Sequence, residues 1–182
     1  MSIRAGILAV LTESDAYGLQ IHAELEERTD RHGRINVGQI YSTLDRLVIA
    51  GLVRSTGSTD DGLPLYGVTF DGRRAAAEWL TEAAVDGASP WVDMTFKVLL
   101  ASSLGAAGAS DLVERYRAAW SAVAAEASGA PSPASLARLR LAEAAQAWLD
   151  DLEALPGGLP SLVLPLRNER PRRGRRPAPT PE

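Results

Sequence analysis

Apolar residues along this chain recur first at helical spacing, then at strand spacing, then again at helical spacing. Ser2 is followed by Ile3, Ile7, Leu8, Val10 and Leu11, one apolar stripe behind a hydroxyl able to accept from the free amides of a first turn. Thr12 to Asp15 break that helix. A second runs from about Tyr17 to Thr29, with Leu19, Ile21, His22 and Leu25 inward and Glu24, Glu26, Glu27 and Arg28 outward. Gly33 opens a loop, and Asn36 caps a third helix over 37–50. After Gly51 the period becomes extended: residues 52–55 and 65–69 read as strands on either side of the turn cluster GSTDDGLP. Asp71 caps a fourth helix that ends before Gly87. Three helices, a two-stranded hairpin and a further helix spell a winged helix-turn-helix over residues 1–88.

Beyond Pro90 the pattern is helical throughout. The stretch WVDMTFKVLLASSL is apolar nearly all round apart from Asp93 and Lys97, which predicts burial. Ser110 caps a helix in which Val113, Tyr116, Trp120, Val123 and Ala127 alternate spacings of three and four. After the interruption SGAPSP, Leu141, Ala145, Trp148, Leu152 and Leu155 do the same. Such seams suit antiparallel or intersubunit packing, so residues 89–160 read as a helical dimerisation and effector domain. Residues 161–182 hold prolines and arginines without apolar periodicity and read as a disordered tail. The fold class expected is mainly α.

Composition narrows the chemistry. At 46% hydrophobic the chain can build a core, and it contains no cysteine, which removes disulfides, thiolate metal sites and cysteine nucleophiles. His22 and His32 form no recognisable ligand pair, and no metal or cofactor is expected. Asp60 and Asp61 lie in a turn and Asp150 and Asp151 diverge on a helix, so no nucleophile, base and orienting group suggest a catalytic site. Without a leader or a membrane-length apolar run, the expectation is a soluble cytoplasmic protein that is not an enzyme. Charge is unevenly divided: eight basic against thirteen acidic residues in 1–88, five against eight in 89–164, and six against two in 165–182. Only the tail is basic. Lys97 is the single lysine.

The third helix has two unlike sides. Ile40, Leu44, Leu47 and Val48 share one with Val37, while Gln39, Ser42 and Arg46 occupy the other, with Thr43 at its edge. Arginine, glutamine and hydroxyl side chains match the donor and acceptor pattern of base edges in the major groove. A solvated face more often carries Lys and Glu in i,i+4 pairs. The pattern alone fits a recognition helix or the surface layer of a small domain equally well.

Three segments add to this. AYGLQIHAELEER, GQIYSTLDRLVIAGLV and LYGVTFDGRR, at these spacings, resemble the signature of the PadR family of bacterial transcriptional regulators, in its longer form with a helical C-terminal domain. Tyr17, Gly18, Gly38, Tyr41, Leu44, Arg46, Leu47, Gly51, Leu52, Tyr66, Thr69, Gly72 and Arg73 fall on the family's positions. The resemblance implies a homodimeric repressor that binds a palindromic operator in double-stranded DNA through helix 37–50 and is tuned by a small aromatic or phenolic effector. It gives DNA-contact roles to Gln39, Tyr41, Ser42, Thr43 and Arg46, with Arg34 and Arg54 flanking. In such proteins Tyr41 touches a phosphate; its ring can equally pack on the second helix. Trp120 and Trp148 are the effector-wall candidates, although tryptophan at such positions is more often plain core.

Two features depart from the family. The wing tip TDDGLPLYG carries Asp60 and Asp61 where the family usually has cations, and the N-terminal segment is acidic where counterion release rewards cations. Screening limits each charge to about 8 Å at physiological salt, so Arg28, Arg31, Arg34 and Arg46 near the third helix can outweigh the sum. The arginine tail reads either as a sequence-blind DNA arm or as a solvated extension. The acidic wing equally suits a winged-helix module repurposed for protein contacts.

Overall fold

The computed structural model describes residues 2–30, 35–129 and 132–166. Arg31 and Arg34, with the arginines from Arg167 onward, lie outside the described residues. Ser2 caps as expected: its Oγ accepts from the Ala5 amide at 3.2 Å and starts α1 (Ile3–Leu11), in which only Arg4 escapes burial. α1 is buried almost all round because α2 (Gly18–Arg28), α3 (Val37–Ile49) and α4 (Phe70–Thr81) all pack on it.

The wing is formed by β2 (Val53–Ser58) and β3 (Pro64–Val68), paired antiparallel with Val53 opposite Val68 and one extra residue, Thr56, between the Ser55 and Gly57 pairings. A third strand was not expected: β1 (Ala16–Tyr17) pairs with β3, Ala16 opposite Tyr66 and Tyr17 opposite Leu65, in the order β1-β3-β2. Two residues carry no periodicity, so pattern could not announce it. Thr69, not Asp71, caps α4, its Oγ1 accepting from the Gly72 amide at 3.1 Å and donating to the Gly51 carbonyl at 2.8 Å. A Cβ on Gly72 would stand 2.1 Å from the Leu52 carbonyl oxygen, so wing and helix meet only because that residue is glycine.

α5 (Pro90–Ser103) belongs to two apolar clusters. Phe96 and Leu100 join Ile7, Leu11, Leu25 and Leu44; Met94, Val98 and Ala101 join Val113, Tyr116, Trp120 and Leu149. α6 (Ala109–Ser128) and α7 (Pro133–Glu153) form an antiparallel hairpin, joined across by Arg138–Glu126 at one end, Gln146–Ser121 in the middle and Arg117–Glu153 at the other. Gly108, rather than Ser110, occupies the cap position of α6, and a reciprocal Ser132–Ser135 box opens α7.

Burial departs from the sequence pattern at several places. Glu24 and Arg28, expected on the outside, are 2% and 3% exposed, because each neutralises the other at 2.7 Å. Lys97 is buried as well, its Nζ donating to the Glu82 carbonyl at 2.6 Å and lying 4.8 Å from the Trp79 ring centroid. Leu155 falls beyond the end of α7 and is exposed, while Ala142 and Leu149 complete the seam. Residues 161–166, given to the tail by composition, are docked: Leu159–Leu162 form a 3-10 turn, the Leu164 amide donates to the Ser103 carbonyl at 2.9 Å, and Leu166 packs on the N-terminal cluster.

Candidate nucleic-acid interface

α3 is fixed at its start. The Asn36 Oδ1 accepts from the Gly38 amide at 2.7 Å, a cap contributing about 1 kcal/mol. The Ile35 carbonyl just before it meets His22 Nε2 at 2.5 Å. Ile40, Leu44 and Leu47 have no exposed surface, which locks the helix about its axis. Gln39, Tyr41, Ser42 and Arg46 are exposed on the other side and Thr43 is half-buried. Val48, expected inside, is 40% exposed and Ile49 is 87% exposed, because the last turn of α3 runs past the core it packs on.

These outward groups differ in what they offer. Ser42 and Thr43 donate their hydroxyl protons to the Gln39 carbonyl at 3.2 and 2.7 Å, leaving lone pairs facing out. The Gln39 carboxamide and the Arg46 and Arg54 guanidiniums make no hydrogen bond or ion pair among the described residues. The Tyr41 ring lies against the start of α2, so close that a Cβ on Gly18 would stand 2.6 Å from it, yet the residue remains 39% exposed. Packing and partial exposure of the side chain therefore coexist.

Tyr66 on β3 and Asp45 on α3 join Tyr41 there, a grouping that sequence reasoning missed. The Tyr66 phenol is pushed up by burial first, then by the Asp45 carboxylate and Tyr41. Its only signal in the sequence was the match of Tyr66 to the wing segment. Arg28, read as a flanking cation, is instead turned into the interior. The wing turn closes through Gly62 at φ +79°, with Asp60 and Asp61 exposed at its tip and Thr59 Oγ1 donating to Asp61.

The two effector candidates part company. Trp120 is 1% exposed and donates its indole proton to Met94 Sδ at 3.0 Å, but it also walls a cavity of about 370 Å³ with Val85, Pro90, Val123, Arg138 and Leu141. Trp148 lies outside that cavity's lining and pairs with Trp91, ring centroids 5.8 Å apart. A second cavity of about 290 Å³ lies where α4 faces α5 and α6, lined by Trp79, Glu82, Asp93, Lys97 and Tyr116 among others. Among the described residues no helix is long and apolar enough to cross a membrane.

No curated protein matches the chain. Among solved structures it is similar to Bacillus subtilis PadR in complex with operator DNA, at 20% identity over 84% of this chain and 97% of that one, with a TM-score of 0.43. The same protein in complex with p-coumaric acid gives 21%, 84%, 97% and 0.40, and a further structure of it gives 19%, 89%, 97% and 0.36. Residues 7–78 match the Transcriptional regulator PadR-like family, a span running from the middle of α1 through the wing into α4. Over that span the chain is similar to the PadR-like family of transcriptional regulators.

Proposed function

We propose that this protein is a homodimeric, ligand-responsive repressor, in which residues 1–88 read DNA and residues 89–160 pair two chains and hold the effector. The observation that carries the DNA reading is the division of α3: Ile40, Leu44 and Leu47 on one side are fully covered, while Gln39, Ser42 and Arg46 face outward with the guanidinium free of any carboxylate among the described residues. Such a side matches the base edges of a major groove, with Tyr41, Thr43, Arg34 and Arg54 as flanking contacts. Two copies related by a two-fold axis would address the halves of a palindrome. The α6–α7 hairpin supplies the pairing surface, and exposed Leu136 beside an apolar cavity at its tip supports that role. The crystallised B. subtilis protein bound p-coumaric acid; here the Trp120 cavity and the Lys97 cavity have room for an aromatic effector of that size.

The test is a mobility-shift titration with DNA from upstream of the protein's own gene, at two salt concentrations, with sedimentation to count chains. A shift that competitor DNA does not abolish and Arg46→Ala removes supports the regulator. Absence of any sequence-selective shift supports the other reading, a winged-helix protein-contact module, which the acidic wing tip favours.

A further inference from the structure

Arg28 joins the two halves of the molecule. Its Nε donates to Glu24 Oε2 at 2.7 Å, one turn back on α2, and its Nη1 donates to the carbonyl of Ser103 at 2.8 Å. Ser103 is the last residue of α5, and its carbonyl also accepts from the Leu164 amide at 2.9 Å. One oxygen thus takes a donor from the helix that precedes α3 and a donor from the segment that follows α7. The end of a helix suits this, since its last carbonyls lack intrahelical donors and their partial negative charge favours a guanidinium.

Further up α5, the contact with the N-terminal unit is apolar at Phe96, with the Lys97 bond to the Glu82 carbonyl one residue away. The Phe96 ring lies against α1, where a Cβ on Gly6 would stand 2.8 Å from it, and beside Trp79 at 6.2 Å between centroids. Apolar burial is non-directional, and the Lys97 bond sits beside Phe96, so together they make one pivot about which α5 can still turn. Ser103 lies two helical turns further on, about 10 Å away along the axis. A charge-assisted hydrogen bond there is directional, and two fixed points set an angle. The Glu24 carboxylate holds the fork in place, with both side chains at most 2% exposed. The Nη2 group is buried without a hydrogen bond among the described residues.

We infer that Arg28 is a positioning residue for operator reading: through Ser103 it fixes the angle of α2 and α3 against α5–α7, and with it the separation of the two α3 helices in a pair. This rests on the dimeric reading above. Such a residue leaves the grip of one α3 on one half-site intact and acts on the register between two.

The experiment selects an operator from random DNA with the full unmodified chain. It then measures Kd for that palindrome, for one isolated half, and for palindromes with the centre changed by one or two base pairs. The variants are Glu24→Gln/Arg28→Met, which removes both buried charges together, and Leu164→Pro, which removes the second donor to Ser103. Thermal unfolding, sedimentation and small-angle scattering accompany each. The double variant is expected to lose about ten-fold or more on the palindrome, through lost effective concentration. Half-site binding should stay within about two-fold, because the α3 contacts are untouched. The preference for one spacing should flatten, and Leu164→Pro should move the same way by less. Unchanged palindrome affinity and spacing preference in a folded, paired variant overturn the inference, as does an equal loss on half-site and palindrome. Should the double variant fail to fold, Leu164→Pro decides by the same criteria. A selection that returns no preferred sequence overturns the regulator reading instead; scattering then judges Arg28, and an unchanged distance distribution in the variants overturns its role.

Discussion

The α3 face with its wing and the α6–α7 hairpin both expose arginines, and they treat most of them differently; elsewhere in the winged-helix unit Arg74 pairs with Asp71 and Glu78. In the hairpin three of four arginines are paired: Arg117 faces Glu114, Asp150 and Glu153, Arg138 faces Glu126 and Arg140 faces Glu143, while exposed Arg115 faces no carboxylate among the described residues. Around α3, Arg46 and Arg54 face no carboxylate among the described residues. Exposed ion pairs contribute little stability, about 0–1 kcal/mol each, but they occupy a guanidinium. An arginine left without such a partner keeps its donors for something outside the chain. The difference separates a surface that mostly closes on itself from one that stays open, although the N-terminal segment is the more acidic of the two.

The strongest way to break this comparison is to attack the cores beneath the two surfaces. Leu44→Ala and Leu149→Ala each remove a fully buried side chain, and each is expected to cost about 2–5 kcal/mol in urea unfolding. Because α5 lies in both clusters, either variant should show one shifted transition rather than loss of half the signal. Next in size, Arg46→Ala should lose about 1–3 kcal/mol of operator binding in a titration while urea stability moves by less than about 0.5 kcal/mol. Arg138→Ala is the control: DNA affinity should stay unchanged. If the two variants behave alike, the contrast between the surfaces is void.

The interior of the helical half can be sharpened by pH. Burial, then the Glu82 carboxylate, pushes the Tyr116 phenol up from its usual 10.0 to about 12. The unfolded chain therefore releases that proton first, and the stabilisation present below pH 10 is lost as pH rises through about 12. Tyr116→Phe should remove that loss in alkaline unfolding curves. Lys97 works oppositely: burial lowers its pKa below 10.5, so the unfolded chain holds its proton longer and this group adds stability as pH approaches 10.5. The smallest effect is expected at the wing. Asp60→Asn with Asp61→Asn should tighten DNA binding by about two- to five-fold, the gain shrinking as salt is raised.

Much of this was legible because the N-terminal unit obeys local rules. The covered side of α3, its Asn36 cap and the turn around Gly62 follow from spacing and turn chemistry, and the PadR-like segments fall where the family match lies. What escaped depended on partners far along the chain. Glu24 and Arg28 read as solvated because burying a charge is costly, and what offsets that cost includes the Ser103 carbonyl, 75 residues from Arg28. Lys97 was hidden likewise, its acceptor being a loop carbonyl at Glu82. Val48 failed for a geometric reason: a helical wheel knows the direction of a side chain but not where the neighbouring core ends. On the candidate site, the outward set on α3 was readable, whereas Tyr66 and Asp45 came beside Tyr41 only through the packing of wing on helix.

The Ser103 carbonyl also imposes a chronology. A chain emerging from its N-terminus can complete α1 to α4 while α7 is still unmade, and Arg28 can reach Ser103 once α5 is out. Leu164 arrives only after the hairpin has been synthesised and folded back. Each nascent molecule can thus complete the α3 surface early and its Ser103 joint late, so a truncated chain lacking Leu164 would keep the former without the full latter.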